Sequence, residues 1–549
     1  DFMNAVWYRR EVIIPADWTE KNVLLHFQAV DYDATVWVNG KEMVRHRGAW
    51  CGFSCDITEV AKAGDKAVIV VRARDLKDEK TKPGGKQTFD QYANYRCFYN
   101  RTTGIWQTVW LEPVPAINLK RPKITPDTAN NRFVVTVPVT NSRAETKVRV
   151  VLSDAEGDIV ENTVCADYDF TPTVDLNVPE SRLRYWSHQD PFLYDISIEL
   201  LDSENNLIDS ARSYAGLRSI TIEGKAVKIN GRVVFQRQVL DQGYYPDGLL
   251  TAPNEQAMKR DIELSMQLGF NSARLHQKVF EERFLYHCDK MGYMVWGEFG
   301  DWGIDRDNPQ ATYITQWLEI INRDYNHPSI IGWCGLNETA KEITDKNDYL
   351  NDLMLGMFLA AKSLDPTRPV IDASGFSHRI SETDIYDCHL YEQDPVKLKN
   401  LLSGLAEGKP FTDHQPKNEK WSIPYKGQPY FCSEFGGIKW FPEEMHTNCN
   451  KSSWGYGNGP KSLEEFYQRF EALCNVLLED ENMFGYCYTQ LTDVFQEKNG
   501  LYFFDRTQKF DAERIRKIQT KIAAIERRHN KTKSVNKTKG LLAARALNI

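Results

Sequence analysis

The chain has no apolar run long enough to cross a bilayer as a helix, so the membrane is not an expected partner. It lacks a positive balance. The net charge of −8 makes nucleic acid a poor partner, because phosphates repel an acidic surface. It lacks any CxxC pair or Cys/His metal spacing, and its eleven cysteines are an odd number, which removes a zinc ribbon or a complete disulfide framework from consideration. Cys334, Cys388, Cys432 and Cys487 lie in apolar runs, where a free thiol acts as a small hydrophobe. The opening Asp1-Phe2-Met3-Asn4 shows no basic-then-apolar signal pattern, which leaves the compartment open.

What is present is a long chain with ample material for cores. At 549 residues, 42% of them hydrophobic and 12% aromatic, three or so domains are expected. Residues 1–117 read as short strands separated by turns. Examples are Val23-Leu24-Leu25-His26-Phe27, Thr35-Val36-Trp37-Val38 before the Asn39-Gly40 hairpin turn, and 67–73. This predicts a β sandwich or jelly roll. Residues 118–217 carry a second β pattern, with strands on either side of the loop Asn141-Ser142-Arg143 and further ones over 186–200. An immunoglobulin-like sandwich with a spacer role is expected.

From about 218 the period changes. Helical spacing over Met258, Ile262 and Met266, and over Trp317, Ile320 and Ile321, alternates with short apolar strands. Taking Val233-Val234-Phe235 as the first strand, the count reaches eight. The last helix is read over 511–527, so 218–530 is expected to be a (β/α)8 barrel. Residues 531–549 form a lysine-rich tail without a periodic apolar face, expected to be disordered.

Two strands of this barrel end alike. Ile330-Ile331-Gly332-Trp333-Cys334-Gly335-Leu336 runs into Asn337-Glu338, and Pro429-Tyr430-Phe431-Cys432-Ser433 runs into Glu434-Phe435-Gly436. Parallel α/β enzymes work at the C-terminal ends of their strands. The separation, 434 − 338 = 96 residues, fits three strand-plus-helix units of roughly 30 residues each, that is, strands four and seven. Two carboxylates flanking a sugar–oxygen bond suffice for glycoside hydrolysis. One gives the leaving oxygen a proton and the other attacks the anomeric carbon. Desolvation and the neighbouring negative charge are expected to keep the acid protonated near neutral pH. Asn337 would supply an uncharged donor for a sugar hydroxyl.

With these residues in view, the chain resembles glycoside hydrolase family 2, the family of β-galactosidases, β-glucuronidases and β-mannosidases. The resemblance rests on the order of several motifs. These are Trp7-Tyr8-Arg9-Arg10, Val36-Trp37-Val38-Asn39-Gly40, Thr103-Gly104-Ile105-Trp106, Gly216-Leu217-Arg218, Asn337-Glu338 and Ser433-Glu434-Phe435-Gly436. It implies a jelly roll, an immunoglobulin-like sandwich and a catalytic barrel. It also implies Glu338 as acid/base, Glu434 as nucleophile, and a Thr103-Gly104-Ile105 loop reaching toward the active site. Asp241, Arg274, His276, His389 and Tyr391 are the expected sugar ligands beside Asn337, with Trp440 and Gln490 further candidates and Glu298 a supporting partner.

Family β-glucuronidases read the sugar carboxylate with Asn-x-Lys before a Gly. Here that place reads Glu497-Lys498-Asn499-Gly500, and Glu497 would repel a uronate. The expectation is therefore an exo-acting, retaining β-glycosidase of β-galactosidase type. The alternatives are a β-mannosidase, a β-glucuronidase or a non-catalytic carbohydrate-binding protein. The expected partner is a glycoside substrate, no cofactor or metal is required, and self-association into a homo-oligomer is left open. The resemblance points to the periplasm and the free thiols to the cytoplasm.

Overall fold

The computed structural model describes residues 3–76, 82–88, 94–140, 144–167, 169, 171–302, 312–339, 343, 348–413, 420–441 and 453–529. The expected loop Asn141-Ser142-Arg143 and the tail over 531–549 lie outside the described residues.

The first unit packs a four-stranded sheet (Ala5–Ile13, Lys66–Arg74, Asp33–Val38 and Lys41–Arg47 in spatial order) against the three-stranded sheet Phe53–Asp56, Asn22–Phe27 and Val109–Val114. Alternation along Asn22–Phe27 and Lys66–Arg74 sends every second side chain into a core of Val23, Leu25, Phe27, Val36, Val38 and Val71. The second unit is an immunoglobulin-like sandwich of three plus four strands around Phe133, Val148, Val150, Leu152 and Ile198. Trp186, expected inside this sandwich, instead leaves it. The indole donates to the Asp289 carbonyl at 2.8 Å and joins the core of the barrel.

The third unit is an eight-stranded parallel sheet curled into a barrel. In spatial order the strands are Val370–Ile371, Ile330–Cys334, Met294–Glu298, Ser272–Leu275, Gln236–Asp241, Met483–Thr489, Tyr430–Gly436 and Tyr386–Leu390. Most of these strands are buried along their whole length, which is why they read as apolar runs without alternation. The first strand is displaced from its expected place. Arg232–Val233 belongs to a small antiparallel sheet, and the barrel strand is Gln236–Asp241. Gln236 and Gln238 are tolerated inside because Gln238 Nε2 and Trp296 Nε1 both donate to Gln236 Oε1 at 2.8 Å. The helix expected over 511–527 breaks after Ala512–Gln519, at the Thr520 cap. Among the described residues no helix is long and apolar enough to cross a membrane.

Candidate active site

The strand Ile330–Cys334 delivers Asn337 and Glu338 to the mouth of the barrel. Glu338 takes a left-handed φ of +47°, a backbone state uncommon outside glycine. It is held there by its N–H, which donates to the Ser374 carbonyl at 2.9 Å, and by the bridge between Asn337 and Ser374. Glu434 lies inside Tyr430–Gly436, where the register shifts against both neighbouring strands. Such irregularities re-aim a side chain.

The two carboxylates converge. An oxygen of each, together with Nδ1 of His389, lies within 4.8 Å of the others. His389 Nδ1 is 2.7 Å from Glu338 Oε1 and 3.4 Å from Glu434 Oε2. Its Nε2 meets Ser374 Oγ at 3.1 Å, and Ser374 Oγ in turn donates to Asp387 at 2.9 Å. Arg274 serves Glu434 from the other side. Its Nη1 donates to Glu434 Oε1 at 3.0 Å, Nε donates to Glu298 at 2.5 Å, and Nη2 donates to Asn337 Oδ1. Tyr391 donates its hydroxyl to Glu434 Oε2 at 2.5 Å, and its ring stacks on Tyr456 at 3.3 Å and 6°. Trp302 donates Nε1 to Glu338 Oε2 at 3.0 Å.

The protonation state corrects one expectation. Burial alone would lift the Glu338 carboxyl. The hydrogen bond and charge of His389, with Lys86 and Arg274 behind it, outweigh burial and hold Glu338 below its ordinary value. Burial also opposes a charge on His389, but the Glu434 charge and the bond to Glu338 raise its pKa to about 9. Near neutral pH the proton of this pair therefore sits on the imidazole. Burial does not keep the proton on Glu338 because a neighbouring base, His389, competes for it.

Several expected residues thus meet at one place: Glu338, Glu434, Asn337, Arg274, His389 and Tyr391. Asn337 Nδ2 has no hydrogen-bond partner among the described residues, so a buried donor remains for a ligand. His276 lies 3.9 Å from Glu434 and 3.1 Å from Glu298, and burial with the nearby Arg274 charge keeps its pKa well below the usual imidazole range. Three expected residues are not brought to the pair. Asp241 Oδ1 closes a turn by accepting from the Gly243 N–H at 2.9 Å. Gln490 bonds Gln242 and Asn499. Trp440 packs beside Phe510. None of the three makes a hydrogen bond or ion pair to either carboxylate among the described residues.

The Thr103-Gly104-Ile105 loop is a further correction. A Cβ on Gly104 would lie 2.2 Å from the Tyr8 hydroxyl, and Ile105 N–H donates to that hydroxyl at 3.1 Å, so the loop packs inside its own sandwich. Trp302, Tyr456, Ser374 and Lys86 were not anticipated. Of these Trp302, four residues beyond the strand-ending Glu298, and Ser374, three beyond the strand Val370–Ile371, had a positional signal.

By spacing alone, Glu338, His389 and Glu434 could surround a metal ion. Arg274 already occupies Glu434 Oε1, and the charged His389 donates to Glu338, so this set is built as an ion-pair network. The cluster Glu282, Asp324 and His327 is likewise engaged by Arg121 and Arg323.

Three models of one family match the chain in succession: "Glycosyl hydrolases family 2, sugar binding domain" over residues 2–115, "Glycosyl hydrolases family 2" over 117–218, and "Glycosyl hydrolases family 2, TIM barrel domain" over 220–436. The chain belongs to glycosyl hydrolase family 2. Among its family 2 relatives, a β-glucuronidase of Paenibacillus borealis is 28% identical over 396 residues, which is 67% of this chain and 64% of that protein. A β-galactosidase of Thermoanaerobacter pseudethanolicus is 25% identical over 417 residues, 73% of this chain and 53% of that protein. The chain thus spans between about half and two thirds of the length of these two relatives. The crystal structure of Ruminococcus gnavus β-glucuronidase superposes with a TM-score of 0.77 at 22% identity, covering 95% of this chain and 89% of that one, and it shares the fold.

Proposed function

We propose that this chain is an exo-acting, retaining β-glycosidase. The observation that carries the reading is the approach of the Glu338 and Glu434 carboxylates to within 4.8 Å, at one mouth of the barrel. Retaining enzymes hold the pair about 5–5.5 Å apart, which leaves no room for a water between them. Glu434 attacks the anomeric carbon and forms a glycosyl ester, and its alignment comes from Arg274 and Tyr391. Glu338 passes a proton to the leaving oxygen and then draws one from the water that cleaves the ester. His389 holds that proton 2.7 Å away in the free enzyme. As Glu434 loses its charge to the ester, the main support for a charged His389 goes with it, which eases the change of role.

The β-galactoside expected from the sequence shares its name with the Thermoanaerobacter relative. An acidic glycoside is the second reading, favoured by the names of the Paenibacillus and Ruminococcus proteins.

Two experiments test the chemistry. A 2-deoxy-2-fluoro glycoside should leave a covalent sugar on Glu434, and Glu434→Gln should drop turnover of nitrophenyl glycosides below about one ten-thousandth. Labelling of another residue would overturn the assignment. His389→Gln removes the base that holds the proton at high pH. The alkaline limb of kcat/KM, expected at about 9, should then fall toward the carboxyl range, because only Glu338 itself can keep the acid proton. An unmoved limb would remove His389 from the proton path.

A further inference from the structure

The stretches over 84–88 and 94–100 leave the first sandwich and are built into the wall of the barrel mouth. At Gly85 the contact is backbone on backbone. Its φ is +55°, and a Cβ there would lie 2.4 Å from the Gln277 carbonyl oxygen, just past the second barrel strand. Lys86 and Thr88 are tied to Tyr99 by backbone hydrogen bonds, since Tyr99 N–H donates to the Lys86 carbonyl at 2.8 Å and Thr88 N–H to the Tyr99 carbonyl at 2.9 Å. Gln496, beyond the eighth strand, clamps the other arm by donating to the carbonyls of Arg96 at 2.6 Å and Phe98 at 3.1 Å. Phe98 stacks on Trp302 at 4.5 Å, and Trp302 donates to Glu338.

This scaffold carries one cation into the site. Lys86 is only 8% exposed, and its Nζ lies 4.3 Å from the centre of the Trp302 ring. Among the described residues its Nζ makes no hydrogen bond and no ion pair. Glu497, Glu434 and Glu338 act on it by charge, each from beyond ion-pair distance. The other cations of the site are committed: Arg274 to Glu298, Glu434 and Asn337, and His389 to Glu338. Glu497, 1% exposed, is also occupied, accepting from the Tyr99 hydroxyl and from Asn499 Nδ2 at 3.1 Å. These donors are neutral, so what weakens its repulsion of a uronate is burial, which raises the Glu497 pKa against the pull of Lys86. A buried ammonium without an acceptor is costly, so Lys86 is suited to pair with an incoming anion.

We propose that Lys86, carried by the first sandwich rather than by the barrel, determines specificity by binding a carboxylate on the sugar, so that the preferred substrate is an acidic β-glycoside. This rests on the glycosidase reading and deepens it. Guanidinium and ammonium differ in shape but share the charge, so Lys86→Arg should preserve the preference that Lys86→Gln removes.

The test compares wild type, Lys86→Gln and Lys86→Arg on nitrophenyl β-D-glucuronide and nitrophenyl β-D-galactoside, with folding checked by thermal unfolding. The wild type should favour the glucuronide in kcat/KM. In Lys86→Gln the ratio of glucuronide to galactoside should fall about 100-fold, as expected for a lost charge-assisted bond, and in Lys86→Arg it should stay within about tenfold. A wild-type preference for the galactoside, or an equal loss on both substrates, would overturn the inference. Binding of free D-glucuronate to Glu434→Gln, measured by calorimetry with and without Lys86→Gln, separates the two levels. If Glu434 resists labelling yet glucuronate binding depends on Lys86, the glycosidase reading falls and the carboxylate site stands. If labelling succeeds and glucuronate binding is indifferent to Lys86, the reverse holds.

Discussion

Two β sandwiches flank the barrel, and they meet different parts of it. The immunoglobulin-like unit touches helix ends and a loop that precede barrel strands. Trp186 reaches Asp289, Arg218 donates to the Pro328 carbonyl at 2.8 Å, and Lys123 donates to the Leu364 carbonyl at 2.5 Å. The first sandwich touches loops that follow strands: Gly85 at Gln277, Trp50 at Gly300, and Tyr99 at Glu497. In parallel barrels the former end serves stability and the latter carries chemistry. The cores show the same division. The immunoglobulin-like sandwich keeps an almost self-contained core, while Trp50, Tyr99 and Trp106 of the first sandwich belong to the core of the barrel itself. One sandwich is thus a strut and the other is part of the site wall, although the sequence of each reads only as short strands and turns.

The strongest way to break this comparison is Trp50→Ala. The indole is 1% exposed, and a Cβ on Gly300 would lie 2.2 Å from it, so it braces the backbone that leads to Trp302. Removing so large a buried ring should cost about 3–5 kcal/mol in chemical unfolding. It should also lower kcat/KM more than about tenfold, because Lys86 and Trp302 lose their common support. Retained kcat/KM in a destabilised protein would show that the first sandwich is a strut after all.

How much of this was legible in the sequence differs by end and by residue. The strand tips with Glu338 and Glu434 were readable because buried parallel strands are unbroken apolar runs, and a carboxylate that ends one stands out. The first barrel strand was misplaced for the converse reason. Gln236 and Gln238 share a hydrogen bond inside the barrel, so the strand carries no apolar signature while Val233-Val234-Phe235 beside it does. Arg274, His389 and Tyr391 could be named as strand-end residues, but the ownership of the proton could not. It depends on a 2.7 Å contact between side chains 51 residues apart. Lys86 was invisible, because nothing local marks it. Its surroundings are assembled from residues near 300, 338, 434 and 497. Asp241 and Gln490 sit at strand ends as expected, yet neighbouring backbone and amides claim their polar atoms first.

The contrast is sharpened at the other end by Leu152→Ala. Leu152 is fully buried in the immunoglobulin-like core, among Val150, Ile196 and Ile198, and no residue of that cluster lines the carboxylate pair. The cavity should cost about 2–5 kcal/mol, a loss comparable in unfolding to that of Trp50→Ala. The kinetic prediction is the opposite, with kcat/KM within about twofold of wild type at temperatures where the variant stays folded. Packing defects are felt through shared contacts, and additivity holds between sites that share none. The contacts of this unit at Asp289 and Pro328 precede barrel strands, whereas Glu338 lies beyond the end of one. A Leu152→Ala protein that unfolds earlier yet turns over normally, beside a Trp50→Ala protein that fails at both, is the pattern expected of a strut and a wall. Parallel kinetic losses in the two variants would mean that the barrel transmits strain from end to end, and the distinction between the sandwiches would dissolve.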